Sequence, residues 1–163
     1  MIPHTQLRVH VEGEQNGDCW ATAMECVLRV PVGTLPRWEV DQCWGDHWYQ
    51  VAAYLFHHHG LTTQRVNAEL LAGRVQAEGY HLASGPSPRA TADAPIYHAV
   101  VALAGEVVHD PHPSRSGVLR VEEWEFLVPV PDRWRDPDVY HPAGLPCSCR
   151  ACPASTPAGA RAA

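Results

Sequence analysis

Residues 96–110 read Ile-Tyr-His-Ala-Val-Val-Ala-Leu-Ala-Gly-Glu-Val-Val-His-Asp, two runs of strand-forming side chains around a glycine-containing break. Nothing else in the chain constrains its fold as strongly. Branched and aromatic side chains fit a pleated surface, and glycine marks a reversal, so the segment predicts an antiparallel hairpin of Ile96 to Leu103 against Val107 to Asp110. A three-residue turn at 104–106 sets Val100 opposite Asp110. Residues two apart on a strand share a face, so His98 and Asp110 then become diagonal neighbours. A two-residue turn shifts the pairing by one and sends Asp110 to the other face.

The remaining elements are weaker but orderly. Residues 5–12 alternate apolar and polar and predict a strand with Leu7, Val9 and Val11 on one face. A turn-rich loop leads to a helix with Asp18 as its N-cap, an apolar stripe of Ala23, Met24, Val27 and Leu28, and Pro31 as its stop. A second helix is expected from about Glu39 to His59, broken near Gly45, with Gly60 at its C-terminal cap. Residues 61–66 and 79–83 predict strands, and Asn67 predicts a cap for a short helix through Leu71. The stretch Ser84-Gly85-Pro86-Ser87-Pro88-Arg89 predicts a loop, placed near any cleft by the His98 strand that follows it, where Arg89 could attract an acidic group. Val118 to Val121 and Trp124 to Val130 are further strand candidates. Helices first and an antiparallel sheet later define an α+β domain. Prolines accumulate from Pro131 and residues 153–163 are almost all small, so the expected division is a folded domain over 1–135 and a Pro/Ala/Cys-rich tail over 136–163.

The net charge is −6, with no long cluster of Lys and Arg. Phosphate backbones are bound by concentrated positive charge, so a nucleic-acid partner is not expected. No stretch approaches the roughly 20 apolar residues that cross a bilayer, and no membrane partner is expected either. The start, Met1-Ile2-Pro3-His4-Thr5-Gln6, lacks the basic and apolar pattern of a secretion signal, which predicts a cytoplasmic protein with free thiols.

Three residues combine into a chemical hypothesis. If Asp18 caps the helix, Cys19 opens it, where the partial positive charge and unbonded N–H groups favour thiolate and can stabilise an oxyanion. His98 begins a strand, and Asp110 on the next strand can take one imidazole nitrogen while the other faces a nucleophile. Cys26 and Cys43 fall inside helices with nothing to activate them. His57-His58-His59 suits the C-terminal dipole of a helix better than a single metal site. His98, His109, Asp110 and His112 alternate across the hairpin, which disfavours a metal there. No cofactor is expected, although Cys147, Cys149 and Cys152 with His141 form an alternative set for a structural zinc.

These motifs carry a resemblance. Gly17-Asp18-Cys19-Trp20 resembles the nucleophile motif of the papain-like cysteine peptidases. His98-Ala99-Val100-Val101 and Val107-Val108-His109-Asp110-Pro111 resemble the His and Asp strands of its compact members, including the bacteriocin-processing (double-glycine) peptidases. The ordered set is closest to small uncharacterised bacterial and phage proteins, which share the start, the Gly-Asp-Cys helix, Ser84 to Arg89, and His109-Asp110-Pro111-His112-Pro113. The resemblance covers roughly residues 1–130. It implies a papain-like fold with N-terminal helices packed on an antiparallel sheet. It also implies a cysteine hydrolase of peptide or protein substrates with Cys19, His98 and Asp110 as catalytic residues. The oxyanion-hole glutamine of such enzymes corresponds to Gln6 by likeness to the small relatives, or to Gln15 by its distance from the cysteine. Cys19 and His98 stand closer in sequence than in papain itself, so only a minimal core is implied.

Overall fold

The computed structural model describes residues 1–12, 14–39, 42, 44–71, 75, 78–91 and 95–131. Two compact units divide the chain, one of residues 1–41 and 64–127 and one of residues 42–63 and 128–163. The expected boundary at 135/136, Cys43, and the Cys147, Cys149, Cys152 and His141 set all lie outside the described residues.

The architecture is α+β. Helices α1 (Cys19–Leu28), α2 (Trp44–Tyr54) and α3 (Ala68–Leu71) accompany strands β1 (Leu61–Asn67), β2 (Tyr80–Pro86), β3 (Tyr97–Leu103), β4 (Glu106–His109) and β5 (Glu123–Pro129). The strands form one sheet in the order β1-β5-β2-β3-β4. β2 runs antiparallel to both β3 and β5, and β3 antiparallel to β4. α1 lies against β3 and β2. Ala83, Val100, Ala102 and Trp124 share one buried cluster with Val75, flanked by Leu71 and Phe126. The alternation that puts Val100 and Ala102 on one face of β3 is the period of a strand. Among the described residues no helix is long and apolar enough to cross a membrane.

Helix α1 buries Ala23 and Met24 as expected, while Val27 and Leu28 are only partly covered; its inner face also takes Ala21, Thr22, Glu25 and Cys26. In the second unit, α2 begins at Trp44, with no break at Gly45, and its last turn widens into a π-helical turn over Leu55–His59. Nothing in the sequence marks that widening. Gly60 closes it in the left-handed conformation, φ 63°, with its N–H on the carbonyls of Leu55 and Phe56. Asn67 accepts the N–H of Glu69 at 2.8 Å, the cap its position predicts.

Three expectations fail, each for a backbone reason. Residues 5–12 form an extended arm with an isolated bridge between Val11 and Gln15, not a strand. Its backbone groups go elsewhere: Gln6 N–H to Pro111 O at 2.9 Å, Arg8 N–H to Asp18 Oδ1 at 3.0 Å, and Asp18 N–H to Arg8 O at 3.2 Å. The alternation is real but inverted, because Gln6 is buried while Leu7 is 65% exposed. Ser84, Gly85 and Pro86 complete β2 rather than opening a loop. Pro86 sits at the last strand position, where a missing N–H is tolerated, and its carbonyl accepts from Leu119 N–H at 2.9 Å. Val118 to Val121 is no strand; it skirts the end of β2, with Glu122 N–H on Ser84 O at 2.8 Å.

That crossing depends on glycine. A Cβ on Gly85 would stand 2.0 Å from the carbonyl oxygen of Arg120, whereas one on Gly79 meets no described residue within 4 Å. Backbone cannot retreat as a side chain can. Gly85→Ala is therefore expected to cost about 3 kcal/mol or more in urea unfolding, with Gly79→Ala within about 0.5 kcal/mol of wild type.

Candidate active site

Cys19 reaches its place because both ends of the approach to α1 are fastened. Asp18 occupies the N-cap position, but its carboxylate makes no side-chain cap bond. It accepts instead from Arg8 N–H and from Arg37 Nε at 2.9 Å. Arg37 also donates from Nη1 and Nη2 to the two oxygens of Glu25, at 2.9 and 2.7 Å. Glu25 is fully buried on α1 and takes the N–H of Leu35 as well, at 2.8 Å. Burial lowers the affinity of Arg37 for its proton, but Glu25 and Asp18 more than reverse this and hold its pKa above the ordinary value.

His98 and Asp110 meet by a different route from the expected one. The hairpin turn has two residues, Ala104 and Gly105, with φ of 51° and 83°, and Leu103 faces Glu106. Positive φ at both positions is the twist-matched two-residue turn. Left alone, this register would put Asp110 on the wrong face. A bulge restores it: Ala102 faces Val107 while Val101 faces His109, so Val108 is the extra residue. One step further along both strands brings Asp110 level with Val100.

The result is a buried pair. His98 Nε2 donates to Asp110 Oδ1 at 2.7 Å. The same carboxylate accepts His112 N–H on Oδ1 and Gly117 N–H on Oδ2, each at 2.7 Å. Arg115 closes the loop by donating to the Asp110 carbonyl. Burial pushes the Asp110 carboxyl up, but the bonds from His98, Gly117 and His112 outweigh it and hold the group below its ordinary range.

Cys19 and His98 line one cavity of about 490 Å³, with Gln6, Trp38, Arg89 and Tyr97 also on its wall. Gln6 donates from Nε2 to Arg8 O, and its Oε1 is buried with no hydrogen-bond partner. Gln15 is not among the lining residues; its Nε2 is held by Val9 O at 2.7 Å. Of the two candidate glutamines, the structure brings only Gln6 to the cavity.

The electrostatics correct one expectation. Burial pushes the half-buried Cys19 thiol above its ordinary 9.0, outweighing the N–H groups of Ala99 and Trp20, and the Asp18 charge adds to the rise. Burial also pulls the His98 imidazole below 6.5 against the pull of Asp110. The helix start alone therefore does not lower the thiol, and burial favours the neutral form of both groups.

His98, His109, Asp110 and His112 do not converge on one metal site. His109 Nε2 is directed at His4 O, 2.8 Å away, and the His112 ring stands edge-on to His98 at 6.0 Å. Among the described residues no group of His, Cys, Asp and Glu is placed to hold a metal ion. Arg37, Trp38 and Gly117 carried no chemical motif in sequence. No protein-family model, curated protein or solved structure matches the chain.

Two measurements follow from this geometry. Arg37→Met leaves the carboxylates of Asp18 and Glu25 buried without a countercharge and should cost about 3–5 kcal/mol in urea unfolding. His98 has a folded pKa below its ordinary 6.5, so its contribution to stability is complete above that value and lost as pH falls through the folded one. His98→Gln should lose that part of the decline in urea midpoint on acidification. The parts from His59 and His112, also lowered, should remain.

Proposed function

We propose that the chain is a small papain-like cysteine hydrolase cutting a peptide, isopeptide or amide bond in a peptide or protein substrate. The observation that carries this reading is that Cys19 and His98 share one cavity while His98 Nε2 is committed to buried Asp110 at 2.7 Å. An imidazole that donates from Nε2 has its lone pair on Nδ1, so Asp110 selects the tautomer that can act as a base.

The reaction proceeds from the neutral pair. His98 takes the thiol proton as the Cys19 sulfur attacks the substrate carbonyl. The oxyanion is met by the Cys19 N–H at the start of α1 and by the Gln6 amide, which has a second N–H besides the one on Arg8 O. The imidazolium then protonates the leaving amine, giving a thioester. Water, deprotonated by His98, attacks the thioester and releases the acid and the thiol. A different acceptor in that last step gives acyl transfer, and a side-chain amide as substrate gives deamidation, with the same residues.

The raised Cys19 thiol favours a second reading, a non-catalytic protein-binding effector on the same fold, which has no use for a reactive sulfur. Turnover against a peptide and amide library separates the two. Cys19→Ala and His98→Ala are expected to abolish it, and Asp110→Ala to leave a small remainder; full activity in Cys19→Ala sinks the hydrolase. The hydrolase predicts a kcat/KM that rises as His98 deprotonates below pH 6.5 and falls only as Cys19 ionises above 9.0, with a normal solvent deuterium isotope effect on acylation.

A further inference from the structure

We propose that Arg89 is an anion subsite beside Cys19, so that the substrate carries a carboxylate close to the bond that is cut. This deepens the cysteine-hydrolase reading and rests on it. The chain has 18 acidic residues against 12 Lys and Arg, yet among the described residues no Asp or Glu lines the cavity. What lines it instead is Arg89, three histidines and an apolar wall that includes Val9, Trp38, Ile96 and Tyr97.

Among the described arginines Arg29, Arg89 and Arg115 pair with no carboxylate, and of these three Arg89 lines the cavity. Arg8, Arg37, Arg65 and Arg120 each pair with a carboxylate. Among the described residues no carboxylate pairs with Arg89, whose Nη1 donates to the neutral Ser114 Oγ at 3.1 Å. Its backbone is fixed rather than trailing: Arg89 N–H donates to Oγ of fully buried Ser87, and Ser87 N–H to Ile96 O at 2.8 Å. The guanidinium is close enough to Cys19, His98 and His112 for its charge to act on all of them. Of the described carboxylates that act on Cys19 and His98, Asp18 is paired with Arg37 and Asp110 is held by His98 and two N–H groups. A guanidinium on an apolar wall that no described carboxylate neutralises attracts an anion from solution, and it favours a planar carboxylate.

The test compares alkylation of Cys19 by iodoacetate, an anion, and by iodoacetamide, its neutral analogue, read by peptide mass spectrometry. Removing Arg89 also changes the thiolate fraction, but that change scales both rates equally and cancels in their ratio. The iodoacetate-to-iodoacetamide ratio should fall on the order of tenfold in Arg89→Gln, recover largely in Arg89→Lys, and decline with added salt in wild type. An unchanged ratio in Arg89→Gln overturns the subsite. Turnover judges the hydrolase separately, so an Arg89-dependent ratio in a protein whose peptide and amide turnover does not depend on Cys19 would count against the hydrolase and for the anion site. Protection from iodoacetamide then identifies the source of the carboxylate. Selective protection by N-acetylalanine assigns a chain terminus, and selective protection by N-acetylglutamate α-amide assigns an acidic side chain. Equal protection by neutral N-acetylglutamine amide overturns the proposal.

Discussion

Arg37 directs Nε to Asp18 and its terminal nitrogens to Glu25, so a loop residue grips α1 at its N-cap and again two turns along. Neither carboxylate could remain charged where it is without that partner, because burial of an unpaired charge costs several kcal/mol. The grip also frees the helix start. Asp18 faces Arg8 N–H and Arg37 instead of folding over the first turn, so its side chain does not occupy the N–H groups beside Cys19. The arm carrying Gln6 is drawn in by the same carboxylate. One ion cluster outside the cavity therefore sets the position of both the sulfur and the amide inside it.

On the opposite wall the positioning is done by strand register rather than charge. The two-residue turn at Ala104-Gly105 and the bulge at Val108 each displace the pairing by one, and together they return Asp110 to the His98 side. Either feature alone would turn the carboxylate away, since a single slip exchanges the faces of a strand. The loop from His112 to Gly117 then donates two N–H groups to that carboxylate, which leaves Oδ1 to be shared with the imidazole.

The hairpin, α1, the Asn67 cap and the proximity of His98 to Asp110 were legible because each rests on a local rule: periodicity, capping preference, or residues two apart on a strand. The details that failed are those set by distant chain. Whether Leu7 or Gln6 turns inward is decided by Pro111 and Asp18, which claim the backbone of the arm, and alternation alone gives no sign of it. Gly85 and Pro86 looked like loop residues; they close a strand because Arg120 passes against it. The bulge cancelled an error in the expected turn, so the right neighbours came from the wrong register path. Arg37 had no signature at all, since a single arginine in a loop looks the same whether it holds two carboxylates or none. The choice of Gln6 over Gln15 likewise needed the cavity wall, which no spacing argument supplies.

The raised pKa of the Cys19 thiol has a consequence for the lifetime of the molecule. Peroxides and disulfides react with thiolates far faster than with thiols, so a sulfur kept protonated climbs the oxidation ladder slowly. Cys19 is half-buried and its thiol is held above the ordinary pKa, which makes the resting protein a poor target for sulfenic acid formation. On the proposed hydrolase reading, the sulfur becomes vulnerable only when His98 removes the proton, with an occupant of the cavity shielding it from small oxidants. A hydrolase built this way can wait for long periods between encounters without losing the sulfur we propose it uses.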